Sequence, residues 1–408
     1  MGYGDAVDGG SLTRAHAAGL DRADPLAGFR ERFELGDGDR IYLDGNSLGR
    51  LSHDARAALQ ATVDEWGSRL VTGWHDWVDL AGRAGDALGA AALGAGPGQA
   101  LACDSTTVNL YKLAGAALAA REGSIVVPAD DFPTDRYVLE GLAAAHGREL
   151  RLLEGDPVAP LGRDAVAAAA EGAALVVLSH VNYRSGALAD MAAITPAVQA
   201  AGALVLWDLC HSAGAVDVNL DAAGADLAVG CTYKYLNGGP GAPAYLYIRG
   251  DLQAQLRNPI QGWFGQADQF EMGQGFRPQP GIAGWLTGTP GILGLAAAEE
   301  GIRLSAEAGI ERIRAKGVAL TEYAIALHDA HLAPLGFELG SPRDAARRGA
   351  HVSIRRADAR ELTRRMIAAG IVPDFRAPDS IRLGLSPLTT TFGEVHRAIE
   401  RIAELAAG

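Results

Sequence analysis

Residues 203–238 read ALVLWDLCHSAGAVDVNLDAAGADLAVGCTYKYLNG and contain the clearest structural signal in the chain. Two short apolar runs, ALVLW and LAVG, are each followed by polar residues, and a segment rich in small residues separates them. Continuous apolar runs of this length are typical of strands buried on both faces of a parallel sheet. Because such strands end at the same edge of the sheet, Asp208 and Lys234 are predicted to lie near each other there.

The same pattern extends to both sides of this stretch. Further apolar runs occupy 124–129, 174–181 and 242–248, and helix-like segments at 134–147 and 189–201 lie among them. Strands that alternate with helices predict an α/β domain in which a mostly parallel sheet carries helices on both faces.

The pattern changes after about residue 290. A long helical stretch (291–330) is followed by short strands near 350–356 and 380–385 and by a last helix at 392–406. We therefore expect a second, smaller α+β domain. The predicted units are an N-terminal segment packing with the small domain (1–50), a large domain (51–290) and the small C-terminal domain (291–408).

Composition excludes several classes of protein. A net charge of −13 over 408 residues argues against a nucleic-acid surface, which needs clustered Lys and Arg. The N-terminus lacks the apolar core of a signal peptide, and no apolar run is long enough to cross a bilayer. Cys103, Cys210 and Cys231 have no CxxC spacing, which predicts free thiols in a reducing cytoplasm and no metal site.

Lysine is scarce in this chain. Of 36 basic residues only Lys112, Lys234 and Lys316 are lysines, and lysine, unlike arginine, can lose its proton and attack a carbonyl group. Asp208 ends an apolar strand, where a carboxylate needs a cationic partner, although alone it is more typical of a capping residue. Together the two indicate a pyridoxal-phosphate (PLP) enzyme, in which Lys binds the aldehyde and Asp pairs with the pyridine nitrogen.

Two neighbouring features fit the same cofactor. Ser105, Thr106 and Thr107 precede a long helical run, where hydroxyls and backbone N–H groups can bind a phosphate, although plain N-capping uses the same residues. His211 follows Asp208 by three residues and could stack on the cofactor ring or support the Asp.

Seven motifs, taken together, resemble the kynureninase family over about residues 40–390. They are LDGNSLG (43–49), FPTD (132–135), SHVNYRSG (179–186), LWDLCHSAGA (206–215), CTYKYLNGGPGAPAYLYI (231–248), GWFGQADQFEM (262–272) and LTGTPGIL (286–293). The resemblance implies a fold-type I PLP enzyme that hydrolyses the Cβ–Cγ bond of L-kynurenine to anthranilate and L-alanine, in tryptophan degradation or NAD biosynthesis.

The resemblance also implies roles for matching positions. Lys234 would hold the cofactor as a Schiff base, Asp208 would pair with the pyridinium, and Tyr233 would take part in proton transfer. The other implied cofactor contacts are Thr106, Thr107, Phe132, Pro133, Thr134, Asp135, Ser179 and His211. Tyr233 would also contact the cofactor in addition to its role in proton transfer. Trp263 and Thr289 would reach the cofactor from a neighbouring subunit, which implies a homodimer.

The implied substrate contacts are Ser47, Trp74 and Arg382, and Arg382 would hold the α-carboxylate bidentately. Relatives that prefer 3-hydroxykynurenine carry His and Asn at the positions that align with Trp74 and Thr289. This difference favours unsubstituted kynurenine as the substrate.

Other functions stay open at this point. An aminotransferase shares deprotonation at Cα, whereas a cysteine desulfurase needs a mobile Cys late in the chain, and all three cysteines precede residue 232. Residues 45–49 match G-x-S-x-G, which could make Ser47 the nucleophile of a serine hydrolase, although no strong strand precedes it. A non-catalytic sensor would need an attached DNA-binding domain, and the segment before residue 40 is short and not basic.

Overall fold

A computed structural model of the protein describes residues 12–36 and 39–408. The strands in these residues are β1 (Ile41–Tyr42), β2 (Ala100–Ala102), β3 (Ser124–Pro128), β4 (Leu150–Leu153), β5 (Ala173–Ser179), β6 (Leu204–Asp208), β7 (Leu227–Cys231), β8 (Ala244–Ile248), β9 (Glu338–Leu339), β10 (His351–Arg355), β11 (Ile371–Val372), β12 (Asp374–Arg376) and β13 (Ser380–Gly384). The α-helices are α1 (Arg14–Ala23), α2 (His53–Arg69), α3 (Trp74–Trp77), α4 (Leu80–Leu88), α5 (Thr106–Ala120), α6 (Pro133–His146), α7 (Arg163–Ala170), α8 (Met191–Ala200), α9 (Leu220–Ala223), α10 (Ile292–Ala308), α11 (Ile310–Leu327), α12 (Ala359–Ala368) and α13 (Phe392–Ala407). None of these helices is both long enough and apolar enough to span a membrane.

Seven strands form one large sheet in the order β2-β8-β7-β6-β5-β3-β4. β8 runs antiparallel to the other six strands. Successive residues of β6 pack into different cores, since Leu204 and Leu206 join one cluster and Val205 and Trp207 the other. The sheet is therefore covered on both faces, and the predicted α/β class is confirmed. The two edge strands, β2 and β4, were not predicted because β2 is short and Arg151 interrupts the apolar run of β4.

A second region contains the four-stranded antiparallel sheet β12-β13-β10-β9 and the two-stranded parallel sheet β1-β11. Ala17, Ile41 and Leu43 from the N-terminal part share a hydrophobic core with residues of α11, α12 and α13. The helical stretch predicted over 291–330 is divided at Gly309, whose φ of +78° places it in the left-handed region that glycine tolerates. Its first half, α10, packs along α2 and α4 of the predicted large domain. The domain boundaries stay predictions.

Residues 43–49 connect the two regions. The backbone N–H of Gly384 in β13 donates to the carbonyl of Leu43 (2.7 Å), and that of Gly49 donates to the carbonyl of Tyr233 (2.8 Å). A Cβ atom at Gly49 would lie only 2.3 Å from the carbonyl oxygen of Lys234. Glycine at this position therefore allows the segment to pack directly against the lysine loop.

Candidate active site

Lys234 lies in the loop after β7, at the carboxyl edge of the large sheet. Its Nζ is 3.4 Å from Nε2 of His211, which follows β6, and 5.9 Å from the centre of the Tyr233 ring. In the parallel register Ser179 is level with Asp208, and Asp208 with Val229. The residues that follow β5, β6 and β7 therefore meet at one edge, as the strand pattern predicts.

Three buried carboxyl groups lie together beside this lysine. Asp131, after β3, accepts hydrogen bonds from the backbone N–H groups of Ser179 (3.1 Å) and Phe132 (2.8 Å) and from the Ser179 hydroxyl. Burial raises the pKa of Asp131 to about 7, and the negative charge of Asp208 adds to this effect. Burial, again with Asp208, also raises the pKa of Asp135 well above its usual range.

This acidic cluster fits the pyridine ring of PLP. Oδ2 of Asp135 is buried and has no hydrogen-bond partner among the described residues, and Asp208 is 6 % exposed. Buried carboxylates are stable only when they are paired with a cation or hydrogen-bonded. A protonated pyridine nitrogen would supply the missing positive charge, and Asp208 at the end of its strand is the residue that could hold it.

The start of α5 offers a place for a phosphate. Ser105 caps this fifteen-residue helix by accepting from the N–H of Val108 (3.3 Å). Thr106 Oγ1 lies 3.4 Å from the carbonyl of Gly230 and 3.7 Å from Sγ of Cys210, which brings it to the edge that holds Lys234. The N–H groups of a helix N-terminus attract anions, and Thr107 in the same turn is exposed.

The remaining predicted cofactor contacts come from the loop after β3 and from His211. The half-buried Phe132 packs edge-on against Tyr183, with 5.3 Å between ring centres. Pro133 and Thr134 form the first turn of α6, while the Ser179 hydroxyl is bonded to Asp131. Burial and the neighbouring charge of Lys234 hold the pKa of His211 well below its usual value, so its imidazole is neutral.

Arg382 approaches from the second sheet. Its Nε donates to Oδ2 of Asp374 (2.8 Å), Nη1 to the carbonyl of Tyr183 (2.5 Å), and Nη2 to Ser47 Oγ (3.1 Å) and to Asp374. An arginine carries five N–H groups, so one N–H, on Nη1, is left for a ligand. The bidentate grip expected from the sequence therefore requires Arg382 to exchange one of its present bonds.

Ser47 does not have the geometry of a hydrolase nucleophile. It follows β1, which belongs to the two-stranded sheet rather than to the large sheet, whereas a nucleophile elbow follows a central strand. Its hydroxyl accepts from Arg382, and its backbone N–H donates to the carbonyl of Asp44 (3.0 Å). The G-x-S-x-G match is therefore part of the segment that links the two regions.

Among the described residues, Trp74, Trp263 and Thr289 make no hydrogen bond or ring contact with Lys234. Trp74 packs against Trp77 and Phe264, and Phe264 packs against Trp263. Trp263 is 43 % exposed, and Thr289 is exposed. Contact of these residues with a cofactor or substrate stays a prediction.

Sequence reasoning missed several residues of the pocket. Asp131 directly precedes the FPTD motif and has no role in the sequence prediction, although its position just after β3 is a usable signal. Asn46 and His351 are fully buried and have side-chain atoms without partners among the described residues. Neither had a motif of its own, because both reach the pocket through packing between the two regions.

The comparisons with known proteins agree with this geometry. A family model described as the kynureninase C-terminal domain matches residues 313–402. The kynureninases of Pseudomonas fluorescens and Burkholderia pseudomallei (strain K96243) are each 41% identical to this chain over 404 residues, covering 96% of it and 95% of the relative.

Solved structures show the same fold at low identity. A cysteine desulfurase from Thermococcus onnurineus NA1 aligns with a TM-score of 0.82 and 19% identity, covering 93% of this chain and 98% of its own. A mutant of C-DES with glycine covalently linked to the PLP cofactor aligns with a TM-score of 0.80 and 18% identity, covering 92% and 99%. The sequence relatives decide the family, and this chain belongs to the kynureninases, which are PLP-dependent hydrolases.

Proposed function

We propose that this protein hydrolyses L-kynurenine to anthranilate and L-alanine, with Lys234, Asp208 and Arg382 as the central residues of its site. The observation that carries the proposal is the convergence of a lysine, a buried acidic cluster and a buried arginine in a member of the kynureninase family. Such a site can take an amino acid, because it offers an anionic edge for the cofactor's pyridinium and a cation for the substrate carboxylate.

Most of the predicted residues have a place in this scheme. Lys234 would bind the aldehyde of PLP, Asp208 would hold the pyridine nitrogen, and Asp135 and Asp131 would support Asp208. Thr106, Thr107 and Tyr233 would bind the phosphate, Phe132 and His211 would contact the ring, and Pro133, Thr134 and Ser179 would shape the loop beside it. PLP supplies an electron sink for the charge that develops at the substrate Cα.

Two side chains carry out the proton transfers. Lys234 Nζ removes the proton from the substrate Cα, and water adds to the γ-carbonyl so that the Cβ–Cγ bond can break. Burial raises the pKa of Tyr233, so its phenol keeps its proton and can donate it at this stage. The added water ends in the carboxylate of anthranilate, and Cβ becomes the methyl group of L-alanine.

We further propose that unsubstituted kynurenine is preferred over 3-hydroxykynurenine, because Trp74 and Thr289 stand where a His and an Asn are expected in hydroxykynurenine-specific relatives. The ratio of kcat/KM for the two substrates tests this. A large preference for the hydroxylated compound would reverse it. A cytoplasmic location and a role in tryptophan catabolism belong to the same proposal.

We also propose a homodimer with shared sites. Trp66, Leu70 and Val71 are 58 %, 64 % and 76 % exposed and border an apolar groove of about 530 Å³. Exposed apolar patches of this kind mark interfaces. Val71→Glu should yield monomers with reduced activity in sedimentation velocity and kinetic assays, whereas Ile367→Glu, an equally apolar change on α12, should leave the dimer intact.

The product of the reaction tests the main proposal. Purified protein is supplied with PLP, its visible absorbance is recorded, and anthranilate fluorescence is followed after L-kynurenine is added. Anthranilate and L-alanine in equal amounts support the proposal. A keto acid with pyridoxamine phosphate would indicate an aminotransferase, and release of sulfur from cysteine would indicate a desulfurase.

A further inference from the structure

His351 is a buried histidine that none of the assigned roles uses. Its side chain is fully buried, and neither ring nitrogen has a hydrogen-bond partner among the described residues. Buried polar groups in folded proteins nearly always have a partner, because an unpaired one loses its bonds to water without replacement. Both ring nitrogens are therefore available to a ligand as far as the described residues are concerned.

The register of the second sheet places this ring beside Arg382. His351 in β10 is directly opposite Gly384 in β13, and Arg382 is two residues before Gly384. Residues opposite each other in an antiparallel pair, and residues two apart on a strand, point to the same face of the sheet. Gly384 has no side chain, and Asn46 packs directly over it, because a Cβ atom at residue 384 would collide with the Asn46 side chain.

The same face looks towards the lysine loop. The His351 ring is 5.7 Å from the ring of His211 between centres, and His211 lies 3.4 Å from Lys234 Nζ. His351 is therefore positioned between the residue expected to bind the substrate carboxylate and the residues around the reactive amine.

The surroundings of His351 are cationic. Burial holds its pKa well below the usual value, and the charges of Arg382, Lys234 and Arg376 lower it further. The imidazole is therefore neutral and carries one N–H donor and one acceptor nitrogen. A donor in cationic surroundings is suited to an anionic ligand.

The bonds of Arg382 leave a carboxylate incompletely bound. Four of its five N–H groups are used by Asp374, Tyr183 and Ser47, whereas a carboxylate offers about four acceptor positions on its two oxygens. A bound carboxylate would thus need at least one donor besides the remaining N–H of Arg382.

We propose that His351 donates a hydrogen bond to the α-carboxylate of the amino-acid substrate, alongside Arg382. The inference rests on the proposed function only in requiring an amino acid as the ligand. It makes His351 a substrate-binding residue that recognises the carboxylate and not the aryl group.

The test compares two ligands that differ only in the carboxylate. L-alanine and ethylamine share the amine and the methyl group, and their binding to the PLP-loaded enzyme is followed through the visible absorbance of the cofactor. In His351→Leu the Kd of L-alanine should rise about tenfold, while the Kd of ethylamine stays within about twofold of wild type because the amine site is untouched. His351→Gln keeps an N–H donor and should bind L-alanine more tightly than His351→Leu does.

Controls separate this role from a structural one. His396→Leu removes another buried imidazole of the same region, one bonded to the Tyr323 hydroxyl, and should leave both Kd values unchanged. If His351→Leu does not fold, the same two Kd values are measured for His351→Met, which also lacks a donor. An unchanged Kd for L-alanine, or equal weakening of both ligands, would overturn the inference. A wild type that binds L-alanine but releases no anthranilate from kynurenine would refute the proposed function and leave this inference standing.

Discussion

The two sides of the pocket differ in how their buried charged groups are paired. The edge of the large sheet collects Asp131, Asp135 and Asp208, and burial raises the pKa of the first two. The facing sheet collects Arg376 and Arg382, but Asp374 is ion-paired with both. The first side carries buried carboxyl groups that a cationic ligand could pair with, whereas on the second side a carboxylate already bonds both arginines.

This difference fits two kinds of ligand. A cofactor that stays bound through many turnovers can be a permanent part of the charge balance, so its site can lack a cation until it binds. A substrate binds and dissociates in every turnover. Between turnovers, an empty carboxylate site would leave a buried arginine without a counterion, which is costly in free energy. Asp374 removes that cost and must share Arg382 when the substrate arrives.

The largest expected effect comes from removing the amine on the acidic side. Lys234→Ala should remove the visible absorption band of the cofactor's Schiff base and lower anthranilate release by about 10⁴-fold. Lys234→Arg is the matched control, because it keeps the positive charge but cannot bind the aldehyde covalently. Activity in either variant near that of wild type would contradict the assignment of Lys234.

Removing the central carboxylate tests whether negative charge is what the acidic side supplies. Asp208→Asn should lower kcat by about 10²-fold or more, because a neutral amide does not keep the pyridine nitrogen protonated. Asp135→Asn keeps Asp208 and should lower kcat less. An equal loss in the two variants would show that the cluster, and not Asp208, holds the cofactor nitrogen.

On the cationic side, Arg382→Lys should mainly weaken substrate binding. Its KM for L-kynurenine should rise about 10- to 100-fold, since a lysine cannot replace the planar guanidinium that bonds Ser47, Asp374 and a carboxylate at once. Arg376→Lys alters only the second partner of Asp374 and should raise KM less. A fall in kcat at unchanged KM in Arg382→Lys would contradict a binding role.

The smallest effect concerns the stability of the cofactor-free protein. A pKa of Asp131 raised to about 7 means that the folded state binds this proton more tightly than the unfolded state. The resulting stabilisation is complete below about pH 4, near the ordinary Asp pKa, and is lost as pH rises to about 7. Asp131→Asn should therefore reduce the fall in melting temperature across this window.

Wild type and Asp131→Asn are compared by thermal unfolding with and without PLP. His180, whose pKa burial lowers to about 4, has the opposite slope in both proteins and cancels in their difference. That difference reports Asp131 together with its effect on the neighbouring Asp135. An identical pH dependence in the two proteins would show that Asp131 does not titrate in this range.

The sequence by itself determined the five inner strands of the large sheet and one edge of the site. Continuous apolar runs are local signals, and polar residues that follow parallel strands must meet at one edge, so Asp208, His211 and Lys234 could be found without coordinates. The scarcity of lysine and the family motifs then identified the cofactor.

Only the tertiary structure decided how the second region completes the pocket. Arg382 was found through the family resemblance, but its pairing with Asp374 and the place of His351 depend on antiparallel register and on how residues 43–49 pack against the lysine loop. Asp374 and Arg382 are near in sequence, but the contacts of Leu43 with Gly384, of Gly49 with Tyr233 and of His211 with His351 join residues more than a hundred positions apart. No local pattern in hydrophobicity or spacing encodes them. The burial that leaves His351 without a partner among the described residues arises where the two regions pack together.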